Sequence, residues 1–408
     1  MKPVLRPFIT DWRFCDFGVM CYICRMKRLA RQMAKYRQIA AASTIAVLLV
    51  LADYFSSNMS YPLLDSSDSL APYAYLWDKD DGAFDDILCA NVALDKELVT
   101  VCDEFGDSAG RAAITDRGTL LRFLEIADSS RYRYIFLDIR FEQGFDTPHD
   151  SALFARIKSM PRVVFSTHRG LEDDIIDPAL AAKSAYADYR HKRQAGFSRY
   201  EFLQDGHESV ALRMYRELDG GDIHPTLIGH ADHGRLCHNM LFVPIPVSAT
   251  EIYGPDGEIR YPYLGSQLMG KYTAGELRGL MDDKIVLVGD FDNDVHSTFT
   301  GDVPGPLLSY YAYRALAAGD HKVNFGLYIF LAAIYFGIAL TLLGKMPLRI
   351  HVKRPFLLLA LSFVSWGVIL WALKIVLFIT CSLDFCATLP AAAFSIISFY
   401  RKITSNQS

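Results

Sequence analysis

An unbroken apolar run in the last third of the chain constrains its fold more than any other feature. Residues 323–344 contain 22 consecutive uncharged residues, most of them aliphatic or aromatic. A helix rises about 1.5 Å per residue, so a segment of this length matches a hydrocarbon core of roughly 30 Å. The sequence therefore predicts a transmembrane helix over 323–344 and the lipid bilayer as a partner.

Two further regions are nearly free of charge. Residues 38–52 are fifteen uncharged residues followed by Asp53 and two aromatic residues, which predicts a first span over 38–55. A cleaved signal peptide is the alternative for this region. Residues 355–400 contain only Lys374 and Asp384 as charges, and this length favours two spans, 355–379 and 382–400, over one long helix with a re-entrant piece. Lys374 and Asp384 are expected to reach the outer surface, the alternative being a proton-sensitive pair inside the bundle.

The basic residues beside these runs predict the topology. The N-terminal segment 1–37, the loop 345–354 and the tail 401–408 are basic, so all three are expected in the cytoplasm. Residues 56–322 then lie outside it and carry 26 Lys and Arg against 42 Asp and Glu, a balance that argues against a nucleic-acid partner. We expect a bacterial inner-membrane protein with four spans and both termini cytoplasmic, with translation starting at Met1 or Met26 and homo-oligomerisation left open.

The outer region alternates short apolar strands with helical spacing. Strands are predicted at 98–101, 134–137, 163–165 and 285–288, and a helix over 118–127 with Thr115 and Asp116 as caps. This alternation predicts an α/β extracytoplasmic domain whose sheet is covered on both faces. Ligands of such sheets bind beyond the carboxyl ends of the strands, which here means Asp138, Ser166 and residues 289–300.

Part of this pattern resembles a known family. The stretch KIVLVGDFDNDVHSTFTGDVPG at 284–305, followed by a helix and a span, is similar to the closing motif of the type 2 CHASE domain, a cyclase- and histidine-kinase-associated sensory extracellular domain. Arg117 before a helix, the strand ending at Asp138, Phe141 and Asp150 resemble the upstream motif of the same family. The order of one span before the domain and three after it also matches, so the resemblance covers about 39–400.

The resemblance implies an extracytoplasmic sensor of an unknown external ligand. Two departures are the Phe at 299, where the family usually has Pro, and residues 306–310, which replace a hydrophobic stretch ending in His-Ala. Family members normally continue into a cytoplasmic output domain, whereas this sequence stops at Ser408. We therefore expect a sensor subunit that signals to a separate cytoplasmic output protein, with a membrane scaffold as a weaker alternative.

A cluster of acidic and polar residues is the candidate ligand site. Three acids, a His and a hydroxyl follow a buried strand and could bind a polar small molecule or a divalent cation, although the EF-hand spacing is absent. No cofactor is expected. The candidate residues are Asp138, Asp290, Asp292, Asp294, His296 and Thr298.

A second cluster lies at 230–239, HADHGRLCHN. Its His230, His233 and His238 could bind Zn²⁺ and support hydrolysis, so an outward-facing metal-dependent hydrolase is the alternative function. The HExxH spacing and a nearby Glu base are missing, and no catalytic motif was found elsewhere. Of the outer cysteines, Cys89 and Cys102 could pair across a hairpin.

Overall fold

The computed structural model divides the chain into two compact units. One unit comprises residues 1–54, 325–373 and 386–408, and the other comprises 55–324 and 374–385. The first is built from long apolar helices and the second contains the sheets. The structure describes residues 13–57, 85–102, 108–171, 175–192, 196–243, 262–298, 301–344, 355–381 and 385–406.

A six-stranded parallel sheet forms the centre of the second unit. Its strand order is β15-β1-β16-β4-β5-β6, and every neighbouring pair is parallel. The strands are β1 (Ile87–Asn91), β4 (Tyr134–Leu137), β5 (Val163–Thr167), β6 (Ser184–Tyr186), β15 (Tyr263–Leu264) and β16 (Ile285–Gly289).

Alternate residues of these strands enter different cores. In β1, Ile87 and Cys89 belong to one apolar cluster, while Leu88 and Ala90 belong to the other. Two helices cover the first face and three cover the second, so neither face of the sheet is exposed to solvent. This is why its strands are apolar throughout. This confirms the predicted α/β sheet. The helices are α4 (Val210–Asp219) and α7 (Gly305–Ala318) on the first face, and α2 (Arg117–Ala127), α3 (Asp150–Ser159) and α6 (Ala274–Met281) on the second.

Helix α2 begins where the sequence predicts. Asp116 is its N-cap, and its carboxylate accepts a hydrogen bond from the Thr119 N–H. That bond satisfies one of the free N–H groups of the first turn, which is why Asp is favoured at this position. A one-turn helix, α5 (Leu268–Lys271), and a 3-10 helix over Pro178–Lys183 complete the helices of this unit.

Smaller antiparallel elements surround the parallel sheet. The predicted strand at 98–101 is confirmed as a strand, but it lies in a separate hairpin and not in the central sheet. Cys89 is a free, buried thiol in β1, so it does not pair with Cys102. The hairpin is β2 (Lys96–Cys102) with β3 (Ser108–Thr115). A five-stranded sheet contains β7 (Arg190–Lys192), β8 (Gly196–Glu201), β14 (Met240–Phe242), β17 (Val295–Thr298) and β18 (Gly301–Pro304). A three-stranded sheet contains β11 (Ile223–Thr226), β12 (Gly229–Asp232) and β13 (Arg235–Cys237). A short pair is formed by β9 (Leu203–Gln204) and β10 (His207–Glu208).

Three helices in the described part of the chain are long and apolar enough to cross a membrane. Their apolar parts are Cys24–Ser56, Phe325–Leu343 and Leu359–Leu377, whereas the apolar part of a fourth helix, Thr388–Tyr400, is shorter. The first of these helices begins at Arg13, inside the segment 1–37 that was expected to precede the span. The complete helices are α1 (Arg13–Ser57), α8 (Phe325–Leu343), α9 (Pro355–Cys381) and α10 (Thr388–Asn406).

Aromatic contacts join the apolar helices to one another. The Phe394 ring lies 6.0 Å from that of Tyr335 and 5.5 Å from that of Trp366. Lys374 in α9 is buried and donates from Nζ to the Phe385 carbonyl at 3.1 Å, so it does not extend to a surface as expected. Its suggested partner Asp384 lies outside the described residues.

Candidate functional site

The topology of the parallel sheet gathers polar residues at one edge. Parallel strands all end at the same edge, so Asp138 after β4, Ser166 near the end of β5, Asp188 after β6 and Asp290 after β16 lie on the same side. This is the edge at which open α/β sheets bind their ligands. Asn91, the last residue of β1, organises this edge, because its Oδ1 accepts from the Ala93 and Phe291 N–H groups.

A cleft of about 660 Å³ opens at this edge, a size suited to a small molecule. Four of the predicted residues line it, namely Asp138, Asp290, Asp294 and His296. The remaining wall residues come from the β2–β3 hairpin, from the start of α2, from the end of β5, from the loops after β4, β5 and β6, and from the start of α7. The polar ones among them are Lys96, Thr115, Arg117, Arg140, Glu142, Ser166, His168, Asp188 and Tyr189.

Asp138 is the most perturbed acid of the cleft. Enclosure by the protein, followed by repulsion from Asp294, raises the pKa of its carboxyl to about 6. Within the described residues, no Lys or Arg forms an ion pair with it. The Ser166 hydroxyl lies close to this carboxyl and is buried, but its Oγ meets no hydrogen-bond geometry with any described group.

His296 connects Asp294 to Tyr189. Its Nε2 lies 2.9 Å from Asp294 Oδ1, and its Nδ1 is hydrogen-bonded to the Tyr189 hydroxyl. A carboxylate only accepts, so Nε2 carries the hydrogen, and Nδ1 of a neutral ring accepts from the tyrosine. Burial, and then the Asp294 charge, raises the pKa of Tyr189 to about 12, which keeps the hydroxyl protonated as a donor.

Asp290 holds the loop after β16 in place. One of its carboxylate oxygens accepts from the backbone N–H groups of Asp292 and Asn293, and Lys96 Nζ lies 3.3 Å from the other. Although burial raises the pKa of Asp290, the hydrogen bonds from Asn293 and the charge of Lys96 outweigh it and lower the pKa. Asp290 is therefore ionised and already satisfied by its own loop and the β2–β3 hairpin.

The opposite wall contains a second histidine and carboxylate. His168 Nδ1 lies 3.1 Å from Asp188 Oδ1, and the Arg169 N–H donates to Oδ2 at 2.6 Å. Burial raises the pKa of Asp188, but these two hydrogen bonds outweigh it and the pKa is lowered. Asp188 thus fixes the loop after β5 to the loop after β6.

Two glycines make room for the carboxyl groups. A Cβ on Gly305 would lie 3.1 Å from Asp138 Oδ2 and would overlap Asp294 Oδ2, so both carboxyl groups face the start of α7. A Cβ on Gly289 would lie 2.6 Å from Pro306 Cγ and 3.1 Å from Asp138 Cβ. The end of β16 and the start of α7 can approach this closely only because neither position carries a side chain.

The residues of the upstream motif contact one another beside the cleft. Arg117 NH1 donates to Asp150 Oδ1 at 3.2 Å, and its guanidinium lies 4.7 Å from the Phe141 ring centroid. Arg117 is almost completely buried, and Asp150 also caps its own helix region by accepting from the Thr147 N–H. This buried pair ties α2 to α3 and positions the loop after β4 that carries Asp138.

The sequence located most of this cleft but not all of it. Asp292 is exposed and Thr298 lies farther along β17, so neither lines the cleft. Tyr189, Asp188 and Lys96 do line it and were missed. The three-residue strand β6 gave too little pattern to predict a strand end before Asp188 and Tyr189, and nothing local to Lys96 shows that its hairpin folds toward Asp290.

The histidines of the second cluster do not converge. His230 lies in β12 with Cys237 as its cross-strand neighbour, His233 is exposed in the turn, and the half-buried His238 follows β13. Across the described ranges, no group of three or more His, Cys, Asp or Glu side chains is arranged to hold a metal ion. Burial, with the charge of Arg199, lowers the pKa of His238 to about 4, so its imidazole is neutral near pH 7.

Asp232 organises this second cluster. It is fully buried, and its carboxylate accepts from the Asp222 N–H at 2.8 Å and the Tyr215 hydroxyl at 3.1 Å, with His321 Nε2 at 3.0 Å. Each carboxylate oxygen has a partner within the fold. The arrangement is that of a structural hydrogen-bond centre rather than a site with a free ligand position.

Comparison with protein-family models, with curated proteins and with solved structures gives no match for this chain. The function must therefore be argued from the cleft and the apolar helices alone.

Proposed function

We propose that this chain is a membrane-embedded sensor subunit, in which the α/β unit binds a small polar molecule and passes the signal through its helices to a cytoplasmic partner. The observation that carries the proposal is the cleft, because one of its walls is the start of the helix that leads along the chain to an apolar span. Gly305 and Leu308 at the start of α7 line the cleft.

The connection from α7 to α8 is short and hydrogen-bonded. Gly319 ends α7 in a left-handed conformation, and α8 begins at Phe325. Between them, the His238 N–H donates to the His321 carbonyl at 2.8 Å and the Val323 N–H donates to the Leu236 carbonyl at 3.0 Å. These backbone bonds to β13 fix the course of the short segment that follows α7.

Transmission requires a difference in affinity. A ligand shifts two arrangements of α7 only by the difference between its binding free energies to them, and a few kcal/mol suffice to reverse the populations. Contacts with Asp138 and Asp294 depend directly on the position of Gly305, so ligand binding in the cleft is coupled to the start of α7.

The proposed location is the bacterial inner membrane, with the α/β unit outside the cytoplasm and a fourth span at α10. Support comes from the three apolar helices and from the basic residues that flank the predicted spans. We assign the α/β unit to the type 2 CHASE kind on its motifs, and the contacts among Arg117, Phe141 and Asp150 give those motif residues a common structural role.

Thiol labelling tests the topology. Leu227 is fully exposed in the α/β unit and Met33 is exposed in α1. In a chain whose Cys15, Cys21, Cys24, Cys102 and Cys381 are replaced by serine, so that the remaining thiols are buried, a membrane-impermeant maleimide should label Leu227→Cys in intact spheroplasts and Met33→Cys only after lysis. The opposite pattern would overturn the orientation and the sensor proposal with it.

Signal output is tested in native membranes. The tagged chain is purified in mild detergent, and a cytoplasmic kinase, cyclase or regulator should copurify with it. The activity of this partner should differ between the natural chain and Gly305→Leu, a variant whose added side chain fills the cleft. Asp292→Asn is the matched control, because Asp292 is exposed and outside the cleft. Equal partner activity in all three chains would indicate a scaffold instead of a sensor.

A further inference from the structure

We propose, building on the sensor function above, that the ligand is a small molecule bearing a protonated amino group, which binds between Asp138 and Asp294 with the Ser166 hydroxyl as a third acceptor. Most charged groups of the cleft already have a partner within the protein, and those that do not are acidic or neutral.

Every basic residue of the cleft is engaged by an acid of the protein. Lys96 pairs with Asp290, Arg117 with Asp150 and Arg140 with Glu142, while the two histidines contact Asp188 and Asp294. A ligand carboxylate or phosphate would have to break one of these pairs to gain its own partner. Arg117 Nε has no hydrogen-bond partner, but it is shielded from solvent and its guanidinium is already paired through NH1. Among the residues that the structure describes, the cleft therefore has no unpaired basic side chain for an anion.

The acids of the cleft outnumber its permanent cations by five to three, the acids being Asp138, Glu142, Asp188, Asp290 and Asp294. Asp138 is the one without a basic partner in the described ranges. Its carboxyl and that of Asp294 face the same space over Gly305, so two like charges meet there and a cation would relieve their repulsion.

Ser166 supplies an independent sign of an absent partner. It is 1 % exposed and lines the cleft beside Asp138, whose pKa its hydroxyl lowers, yet its Oγ makes no hydrogen bond of acceptable geometry with any described group. A buried hydroxyl without a partner costs free energy, and a donor on a ligand would satisfy it.

The number of acceptors favours an ammonium group over a metal ion. An ammonium group donates three hydrogen bonds, and Asp138, Asp294 and Ser166 provide three acceptors. A divalent hard cation takes six or more oxygen ligands, and no cluster of three or more ligating side chains occurs in the part of the chain that the structure describes. The cleft volume leaves space for an organic body attached to the amine.

Binding of an amine should depend on pH. Asp138 faces Asp294, His168 and His296, together with the Tyr200 hydroxyl from β8, and its pKa of about 6 means that it loses its proton as the pH rises through about 6. The site requires an ionised Asp138 and a protonated amine, so affinity should be highest between about pH 7 and pH 9 and fall by up to tenfold per pH unit below about pH 6.

Matched probes test the class of ligand on the full-length protein in detergent. Putrescine and tyramine are titrated by calorimetry against butanediol and tyrosol, in which hydroxyl replaces the amino group. At least one amine should bind tenfold or more tightly than its hydroxyl analogue, and Asp138→Asn and Gly305→Ala should each abolish that preference. Asp292→Asn should leave it unchanged.

The outcomes separate this proposal from the sensor function. Equal binding of amines and alcohols that is lost in Gly305→Ala would overturn the amine class but leave a ligand cleft. Amine binding that survives in both Asp138→Asn and Gly305→Ala would place the amine outside this cleft. If no probe shows an amine preference in the natural chain, the amine assignment is wrong. The sensor function is tested separately, because an unchanged activity of the cytoplasmic partner with Gly305→Leu would contradict it whatever the probes show.

Discussion

The carboxyl edge of the parallel sheet and the hairpin around His233 carry similar residues but differ in how the fold uses them. Both contain acids and histidines within short stretches of sequence. At the sheet edge, side chains that follow β4 and β16 meet a side chain of β17 in one cleft, and Asp138 has no Lys or Arg partner among the residues that the structure describes. In the hairpin, Asp232 is surrounded by internal donors and the histidines diverge. Ligand sites are made by the convergence of distant segments, and local density of polar residues is a weaker sign.

The largest change in stability is expected when Asp232, the central hydrogen-bond acceptor of the hairpin, is removed. Asp232→Ala leaves the Asp222 N–H, the Tyr215 hydroxyl and His321 without their acceptor, which should lower the free energy of unfolding by about 3 kcal/mol. Chemical denaturation of the full-length protein at neutral pH measures the change. Thr226→Ala, at an exposed position of the neighbouring strand β11, is the control and should change it by less than about 0.5 kcal/mol.

The pH dependence of the natural chain supplies a second check on Asp232. Burial raises the pKa of this carboxyl, but the hydrogen bonds from Asp222, His321 and Tyr215 outweigh it and the net pKa is lowered. Its stabilisation is therefore full above the ordinary Asp pKa and is lost as the pH falls through the lower folded-state value. If Asp232→Ala loses less than about 1 kcal/mol, the hairpin has no structural centre and its polar residues would again be candidates for a site.

Asp138→Asn should change stability in the opposite direction and raise the free energy of unfolding. The pKa of Asp138 is raised to about 6, so the ionised carboxylate destabilises the folded protein at neutral pH, and its amide isostere should be more stable by about 1 to 2 kcal/mol. The advantage should be complete above pH 6 and vanish below pH 4, where the carboxyl is protonated in both folded and unfolded states. A less stable Asp138→Asn at pH 7.5 would contradict the idea that this acid is kept for binding.

Local chemistry made much of the fold predictable. The apolar strands 134–137, 163–165 and 285–288 were found because buried parallel strands are apolar throughout, and Asp116 was found as a cap because its side chain acts on the next turn. That Asp138, Asp290, Asp294 and His296 line one cleft followed from one rule, that parallel strands all end at the same edge of the sheet.

The features that the sequence did not predict are those that depend on packing between distant segments. The strand at 98–101 has an ordinary strand pattern, and nothing in it shows that it pairs with β3 instead of joining the central sheet. Tyr189 reaches the cleft through the short strand β6 and its contact with His296, which is 107 positions away. The buried Lys374 shows the same limit, because an isolated lysine between apolar residues gives no sign of the carbonyl that accepts its hydrogen bond.

A smaller effect is expected at the mouth of the cleft. Lys96 and Asp290 are both partly exposed, so Lys96→Met should lower the free energy of unfolding by about 0.5 kcal/mol and less at high salt. It also removes a charge that lowers the pKa of Asp290, so this pKa should rise. Denaturation at low and high salt measures the first effect, and Lys271→Met, remote from the cleft wall, is the control. An effect as large as that of Asp232→Ala would mean that the hairpin β2–β3 is held to the sheet mainly by this pair.

The smallest effect should come from His233, and it sharpens the comparison most directly. The residue is exposed and has a left-handed backbone with φ of 48°, a conformation that suits glycine. In His233→Gly, relief of the left-handed backbone conformation stabilises the folded state, while the greater conformational freedom of glycine stabilises the unfolded state. The two effects oppose each other, so the free energy of unfolding should change by less than about 0.5 kcal/mol. Thermal unfolding with Zn²⁺ and with a chelator should then be the same for the natural chain and the variant. A Zn²⁺-dependent rise in melting temperature that His233→Gly removes would instead show that the hairpin rearranges into a metal site, and the contrast with the sheet edge would disappear.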